Sequence, residues 1–288
     1  MRYYNISGLI ISIGGYMDET TLSRMSGYET EPVCTTDTEI SVELSDSSIQ
    51  VPDGSCISVS MNELWQISEG YLTYYMGFPE IEGAAVCAKC SEDFSKIHIR
   101  LYDVKKHLGF DDKCYLFNTL STMMHYIAMS HGRIVFHSSS VCANGCGVAF
   151  SADSGVGKST HTGLWTEHIE GCYYINDDTP IISISDQKVM ISGTPFAGTS
   201  GINTNVTVPL GAIVFVTRGE TNSLVPVDTV TAFSRMMSQL KKPVNDKLAD
   251  KLISTLGNIL KNVSCYLMKC NISPEAAYTA YNTVFCEK

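Results

Sequence analysis

Lys158 and Ser159 stand behind two glycines, Gly155 and Gly157, in the run Ser151-Ala152-Asp153-Ser154-Gly155-Val156-Gly157-Lys158-Ser159-Thr160. An ammonium and a hydroxyl at the end of a glycine loop can grip a polyphosphate. Glycines take positive φ and let backbone N–H groups face an anion. A helix opening at Lys158 adds amide donors and a partial positive charge. Lys158 would reach the β- and γ-phosphates, and Ser159 Oγ would sit on Mg²⁺. The expected nucleotide-binding residues are therefore Asp153, Ser154, Gly155, Val156, Gly157, Lys158, Ser159 and Thr160. The usual pattern is G-x-x-x-x-G-K-[ST], and Ala152 holds its first position here. The plainer alternative is a glycine-rich turn before an ordinary helix.

A nucleotide site also needs acids. Asp177-Asp178 follow Tyr173-Tyr174-Ile175-Asn176, which reads as a strand. Carboxylates at a strand end near a phosphate loop complete a Mg²⁺·nucleotide site. With two in a row, one can hold the metal while the other accepts a proton from an attacking hydroxyl. Asn-Asp-Asp-Thr-Pro is also good turn chemistry, which is the alternative reading.

Such groups act only if the chain brings them together. Residues 133–141 read as one strand carrying His137, and Asn144-Gly145 then signals a hairpin. The return strand, residues 147–150, delivers the chain to the glycine loop, and an amphipathic segment, 158–169, leaves it. A second hairpin is expected from residues 181–185 and 189–192 around Asp186-Gln187-Lys188. Hairpins rather than helical crossovers around the loop imply a mixed, largely antiparallel sheet. Upstream, residues 1 to about 105 look β-rich, with strands at 4–13, 39–44, 56–61, 72–75 and 96–101. Residues 114–131 read as a helix through Leu116, Leu120, Met123 and Ile127. Its His125 and His131 are expected on the helix surface or in the core rather than as ligands.

Downstream, residues 210–216 form a buried-looking strand followed by Arg218, which could approach phosphate or stay solvated. Asp228 is expected to cap a helix with an apolar face of Phe233, Met236, Met237 and Leu240. A further helix over 246–261, a strand over 263–269 and a last helix opened by Ser273-Pro274 complete the reading.

Composition narrows the function. The chain has 288 residues, 44% of them hydrophobic and 17% charged, which are globular values. A net charge of −10 argues against nucleic acid and anionic membranes as partners. No apolar run is long enough to span a bilayer. Residues 8–13 read as a strand rather than a signal peptide. Eleven scattered cysteines without an export signal suggest reduced thiols and a cytoplasmic protein. Cys87-Ala88-Lys89-Cys90 is a lone pair without further metal-ligand spacing, and Cys142 and Cys146 flank the hairpin turn.

His137 on a strand, a hairpin, Asp-Ser-Gly-Val-Gly-Lys-Ser and a strand ending Asp-Asp together resemble the catalytic domain of the HPr kinase/phosphorylase family. That family shares its fold with phosphoenolpyruvate carboxykinases. The pattern is similar, more closely, to small bacterial HPr-kinase-like proteins of the phosphoenolpyruvate-carboxykinase-like type. They carry Gly-Lys-Ser-Thr-His-x-x-Leu-Trp, Asn-Asp-Asp-x-Pro and Gly-[ST]-Pro-[WF]-x-Gly, matched here by residues 157–165, 176–180 and 193–198. The resemblance covers about residues 130–220. It implies that His137 lies near the γ-phosphate with Asp177 and Asp178, where it handles the proton of an acceptor serine. It also leads us to expect a lysine after Gly198, where this chain has Thr199. The chain is too short for a carboxykinase, so no decarboxylation is carried over.

The expected fold is α+β. A P-loop kinase core of the HPr kinase type, residues 109–288, follows a β-rich region, residues 1–108. The expected activity is phosphoryl transfer from ATP, or another polyphosphate donor, to a hydroxyl of a protein, peptide or metabolite. His137, Lys158, Asp177 and Asp178 are the catalytic candidates, and Ser159 with Asp178 would hold Mg²⁺, with Asp177 and His137 taking the proton. Two alternatives share the fold. One is a nucleotide-binding regulator without transfer, motivated by Ala152 and Thr199. The other is the reverse reaction, removal of phosphate by phosphorolysis. Self-association is left open.

Overall fold

A computed structural model of the chain describes residues 1–60, 62–77, 82–108 and 114–286. Its residues cluster into two compact units, 1–131 with 242–249 and 132–241 with 250–288. Each is built on one large mixed sheet.

In the first unit, apolar residues alternate with polar ones along short strands, the pattern of a sheet with one packed face. The strands are β1 (Arg2–Ile6), β2 (Leu9–Gly15), β3 (Glu29–Thr30), β4 (Thr38–Ser45), β5 (Ser55–Ser60), β6 (Glu63–Ser68), β7 (Tyr71–Met76), β8 (Val86–Cys90) and β9 (Lys96–Tyr102). They lie in the order β3-β1-β2-β4-β9-β8-β7-β6-β5. Neighbours are antiparallel except β2–β4 and β4–β9. Three helices, α1 (Glu19–Met25), α2 (Val104–Leu108) and α3 (Tyr115–Ser130), belong to this unit. The single strand expected over 4–13 is a hairpin, because the chain folds back at Ser7-Gly8 and pairs Ile6 with Leu9. Cys87 and Cys90 are buried on β8, and all eleven cysteines are free thiols. Residue 61, the end of one expected strand, lies outside the described residues. So do 109–113, where the expected domain boundary falls, and 287–288.

The second unit contains β10 (Ile134–Val135), β11 (Ser139–Ala143), β12 (Cys146–Ser151), α4 (Lys158–His168), β13 (Tyr173–Asn176), β14 (Ile181–Ser185) and β15 (Lys188–Ser192). There follow β16 (Thr207–Arg218), β17 (Ser223–Pro226), α5 (Thr229–Met237), α6 (Asp246–Asn262), of which 250–262 cluster with this unit, β18 (Ser264–Cys270) and α7 (Pro274–Phe285). The order is β10-β14-β15-β16-β12-β11-β13, with β18 also on β16 and β17 on β18. Only β12–β16 and β16–β18 are parallel. Both expected hairpins form, β11–β12 around Asn144-Gly145 and β14–β15 around Asp186-Gln187.

A further expectation fails. Residues 133–141 are not one strand. After Val135 the chain leaves β10, and Phe136 N and Ser138 N donate to Pro180 O (3.0 Å) and Asp178 O (2.9 Å) before β11 begins. His137 therefore sits in an extended break beside the Asp177–Pro180 turn, not on a strand. Further on, Leu240 lies past the end of α5, whose one fully buried methionine is Met236.

Strand direction explains why the chemistry gathers at one end. β11 runs antiparallel to both β12 and β13, so its start meets their ends. The start of β11 follows His137, β12 ends in the glycine loop, and β13 ends at Asp177-Asp178. β16, parallel to β12, brings Arg218 to the same end.

One face of this sheet is covered by α4 and α7. Phe150, Val214, Val216 and Met268 pack there against Trp165, Ala277 and Ala280. Trp165 is fully buried, edge-on to Phe150 at 5.3 Å between ring centroids, and its Nε1 donates to His161 Nε2 at 3.2 Å. His161 is 2% exposed, and burial lowers its pKa to about 4. The unfolded chain protonates this histidine near 6.5. Its neutral form thus favours folding fully above the unfolded value, and the contribution is lost as pH falls toward the folded value. Across that window the histidine costs about 1.4 kcal/mol of stability per pH unit. His161→Phe keeps a ring in the cluster and should flatten the slope in urea unfolding between about pH 7 and about pH 5. A variant as pH-sensitive as the wild type would contradict this.

Candidate active site

The glycine loop joins β12 to α4. Gly155 (φ 76°) and Gly157 (φ 124°) occupy backbone conformations that a side chain would strain. Ala152 does not, since its φ is not positive, and its methyl packs against the core under α4. The missing first glycine therefore costs no backbone strain. Gly157 caps α4 without a side chain. Among the described residues, the amides of Lys158, Ser159 and Thr160 have no partner, as expected of an open helix start. Ser159 and Thr160 are exposed, and the Ser159 hydroxyl forms no hydrogen bond among the described residues. Arg218 donates to the carbonyls of Gly155 and Val156, the latter at 3.2 Å. Because C=O and N–H of one peptide point opposite ways, this turns Gly157 N–H away from Arg218.

Lys158 does not extend into solvent. Its Nζ lies 3.0 Å from Ala152 O and 3.0 Å from His137 Nε2. On the other side of the ring, His137 Nδ1 lies 3.2 Å from Asp178 Oδ1. An ammonium can only donate, so Nε2 must be the acceptor and Nδ1 must carry the proton. With Lys158 charged, this contact is made by the tautomer whose Nδ1–H donates to Asp178. The side chains of His137 and Asp178 are 37% and 33% exposed, open enough to meet a substrate. Burial lowers the pKa of Lys158, while Asp178, Asp153 and Asp177 pull it back up.

Asp177 is held differently. Ser139 Oγ donates to its Oδ1 at 2.6 Å and lies 2.7 Å from Thr162 Oγ1. With the Ser139 proton on Asp177, the single Thr162 hydroxyl proton is shared between Ser139 Oγ and the carbonyls of Lys158 and Ser159 in the first turn of α4 (3.2 and 3.1 Å). Both hydroxyl residues are fully buried. The turn between the acids and β14 is built on buried Asn176. Its Oδ1 accepts from Asp178 N (2.9 Å) and Thr179 N (2.7 Å), and its Nδ2 donates to Thr194 O (2.9 Å). Turn chemistry and carboxylate placement are one feature here. Gly198 packs so close to Asp178 that a Cβ would come 3.2 Å from its carboxyl carbon. Thr199, next along, is exposed.

The structure thus gathers Lys158, His137, Asp178, Asp177 and the loop residues 153–160 around one end of the sheet. It pairs His137 with Asp178, where the sequence reading had set Asp177 beside it. Asp153 stands on the outer side, its Oδ1 3.3 Å from Gln239 Nε2. Sequence reasoning missed Ser139, Thr162 and Gln239. Ser139 lay inside the single strand expected over 133–141, so its place at the start of β11 was not legible, and Gln239 carried no signal at all. Arg218, left open between phosphate and solvent, holds the loop carbonyls. No group of three or more His, Cys, Asp or Glu with metal-site geometry occurs among the described residues. A divalent ion here would need the Ser159 hydroxyl and donor oxygens of the nucleotide alongside a carboxylate, which is how Mg²⁺ is commonly held.

A solved structure of the HPr(Ser) kinase/phosphatase from Coxiella burnetii is similar over 52% of this chain and 95% of that one, at 13% identity and a TM-score of 0.31. No family model matches the sequence, and no curated protein does. No helix among the described residues is long and apolar enough to cross a membrane.

Asn176→Ala should leave two amides and the Thr194 carbonyl without their partner. Loss of about 2–3 kcal/mol in denaturant unfolding is expected from such orphaned buried groups. A variant as stable as the wild type would mean that the turn does not depend on Asn176.

Proposed function

We propose that this chain is a Mg·ATP-dependent phosphotransferase acting on a hydroxyl, of the serine-kinase type. The observation that carries the reading is the line Lys158 Nζ, His137, Asp178 at the mouth of a glycine loop with open amides. Bound Mg·ATP would supply the transferable phosphoryl group and an ion to neutralise its charge. Lys158 leaves His137 Nε2 for the phosphates and answers charge growing on the transferred group. That frees Nε2 to take the proton of the acceptor hydroxyl, while Nδ1–H stays on Asp178, which stabilises the imidazolium so formed. We assign Asp177 and Ser159 to the ion, because Ser139 and Thr162 tie Asp177 to the first turn of α4. Asp178, engaged with His137, becomes the positioning carboxylate. This reverses the roles expected from the sequence. Positioning and electrostatics then do most of the catalysis.

A regulator without transfer activity has less to recommend it, since Ala152 sits without strain and Thr199 is at the exposed rim. Calorimetry with Mg·AMP-PNP and transfer of radiolabelled γ-phosphate to a panel of hydroxyl acceptors test the proposal. Lys158→Ala should weaken nucleotide binding, and His137→Gln should keep it while slowing transfer about 10²–10⁴-fold, the usual worth of a general base. A wild-type chain that takes no Mg·nucleotide, or a His137→Gln protein transferring at the wild-type rate, would refute it.

A further inference from the structure

The loop separates two cavities of the second unit. One, about 530 Å³, opens on the α4 side between Thr160, His161, Leu164 and Ile272. The other, about 450 Å³, lies on the α5 side and is lined by Asp153, Thr217, Arg218, Arg235, Ser238 and Gln239. The second has a charge pattern that the reading above does not use.

Arg235 projects from α5 over the ring of buried Phe215, 5.7 Å from its centroid. Val214 and Val216 face the core under α4, so Phe215 points the other way, to the α5 side. The aromatic face holds the guanidinium in place. Among the described residues that guanidinium makes no hydrogen bond and no ion pair. Arg218, the second guanidinium lining the cavity, meets only carbonyls. The single carboxylate there, Asp153, is engaged by the Gln239 amide. Two arginines without a carboxylate partner match an oxyanion, while the Ser238 and Thr217 hydroxyls on the same wall already donate to Arg235 O and Met268 O (2.8 and 2.9 Å).

The cavity also borders the proposed chemistry. Ala152, whose carbonyl holds Lys158 Nζ, lines it, and Gln239 O accepts the His137 backbone N–H at 3.4 Å. We infer that this cavity binds an oxyanion group, carboxylate or phosphate, carried by the hydroxyl-bearing acceptor, with Arg235 as its specificity-determining contact. The inference rests on the kinase reading for what the anion belongs to. It rests on the cavity itself for the anion.

The test uses the full chain and Arg235→Gln, a substitution that keeps helix propensity. With the loop saturated by Mg·AMP-PNP, calorimetric titration of inorganic phosphate and of formate should show saturable binding of at least one to the wild type. Arg235→Gln should weaken it about tenfold or more, the scale of one lost charge-assisted pair, with Mg·AMP-PNP affinity unchanged. Phosphate or formate as the better probe tells which anion the cavity prefers. The inference is overturned if neither anion binds the wild type, if Arg235→Gln binds them equally well, or if it loses nucleotide affinity in parallel, which would make the cavity part of the nucleotide site. Failure of the kinase reading shows separately, as absence of heat in the nucleotide titration. The anion titrations are then read on the nucleotide-free protein, where Arg235→Gln must weaken binding that Lys158→Ala leaves intact.

Discussion

A lysine amine has no lone pair to offer while it is charged, so its contact with His137 Nε2 at 3.0 Å fixes the state of the whole site. Beside a charged Lys158, the matching tautomer carries its proton on Nδ1, which faces Asp178. One base, one acid and one cation are thereby locked in a line without any bound molecule. The same contact makes the arrangement responsive. An anion that draws Lys158 away uncovers the one ring nitrogen able to accept a proton.

That line exists because of strand direction. A wholly parallel sheet would put the segment before β11 at the far end from the loop. The Asn144-Gly145 hairpin reverses β11 against β12, and His137 arrives beside the loop although it precedes Lys158 by one hairpin. Buried hydroxyls then lock the corner. Ser139 on β11 and Thr162 on α4 reach Asp177 between them, and Asn176 shapes the turn from below. The covered face of the sheet, with Trp165 and Phe150 at its centre, holds α4 and hence the loop in place.

Much of this was legible in the residues. Both hairpins of the second unit, the long helix α3, the Asp228 cap and the glycine loop declared themselves through turn chemistry and periodicity. What failed did so for tertiary reasons. Residues 133–141 have uninterrupted strand propensity, yet the turn at 178–180 captures two of their amides and breaks the ladder. β6 and β8 were not among the expected strands, although Glu69-Gly70 after β6 and Ser91-Glu92-Asp93 after β8 are turn residues. Within the site, residue types revealed which groups could act, and their pairing was invisible. Nothing in Asp177-Asp178 says which carboxylate meets His137, because that depends on the direction each leaves the turn. Arg235 on α5 and Gln239 just past its end were illegible altogether until Phe215 and the loop are placed beside them.

The central claim is that Lys158 holds His137 Nε2 in the free protein and gives it up to polyphosphate. Long-range ¹H–¹⁵N spectra of the His137 ring, with and without Mg·AMP-PNP, test it most directly. The account predicts a neutral ring with the proton on Nδ1 in the free protein, and a marked shift of Nε2 alone when the nucleotide binds. A free-state proton on Nε2, a fully protonated ring, or an Nε2 signal unmoved by saturating nucleotide would contradict it.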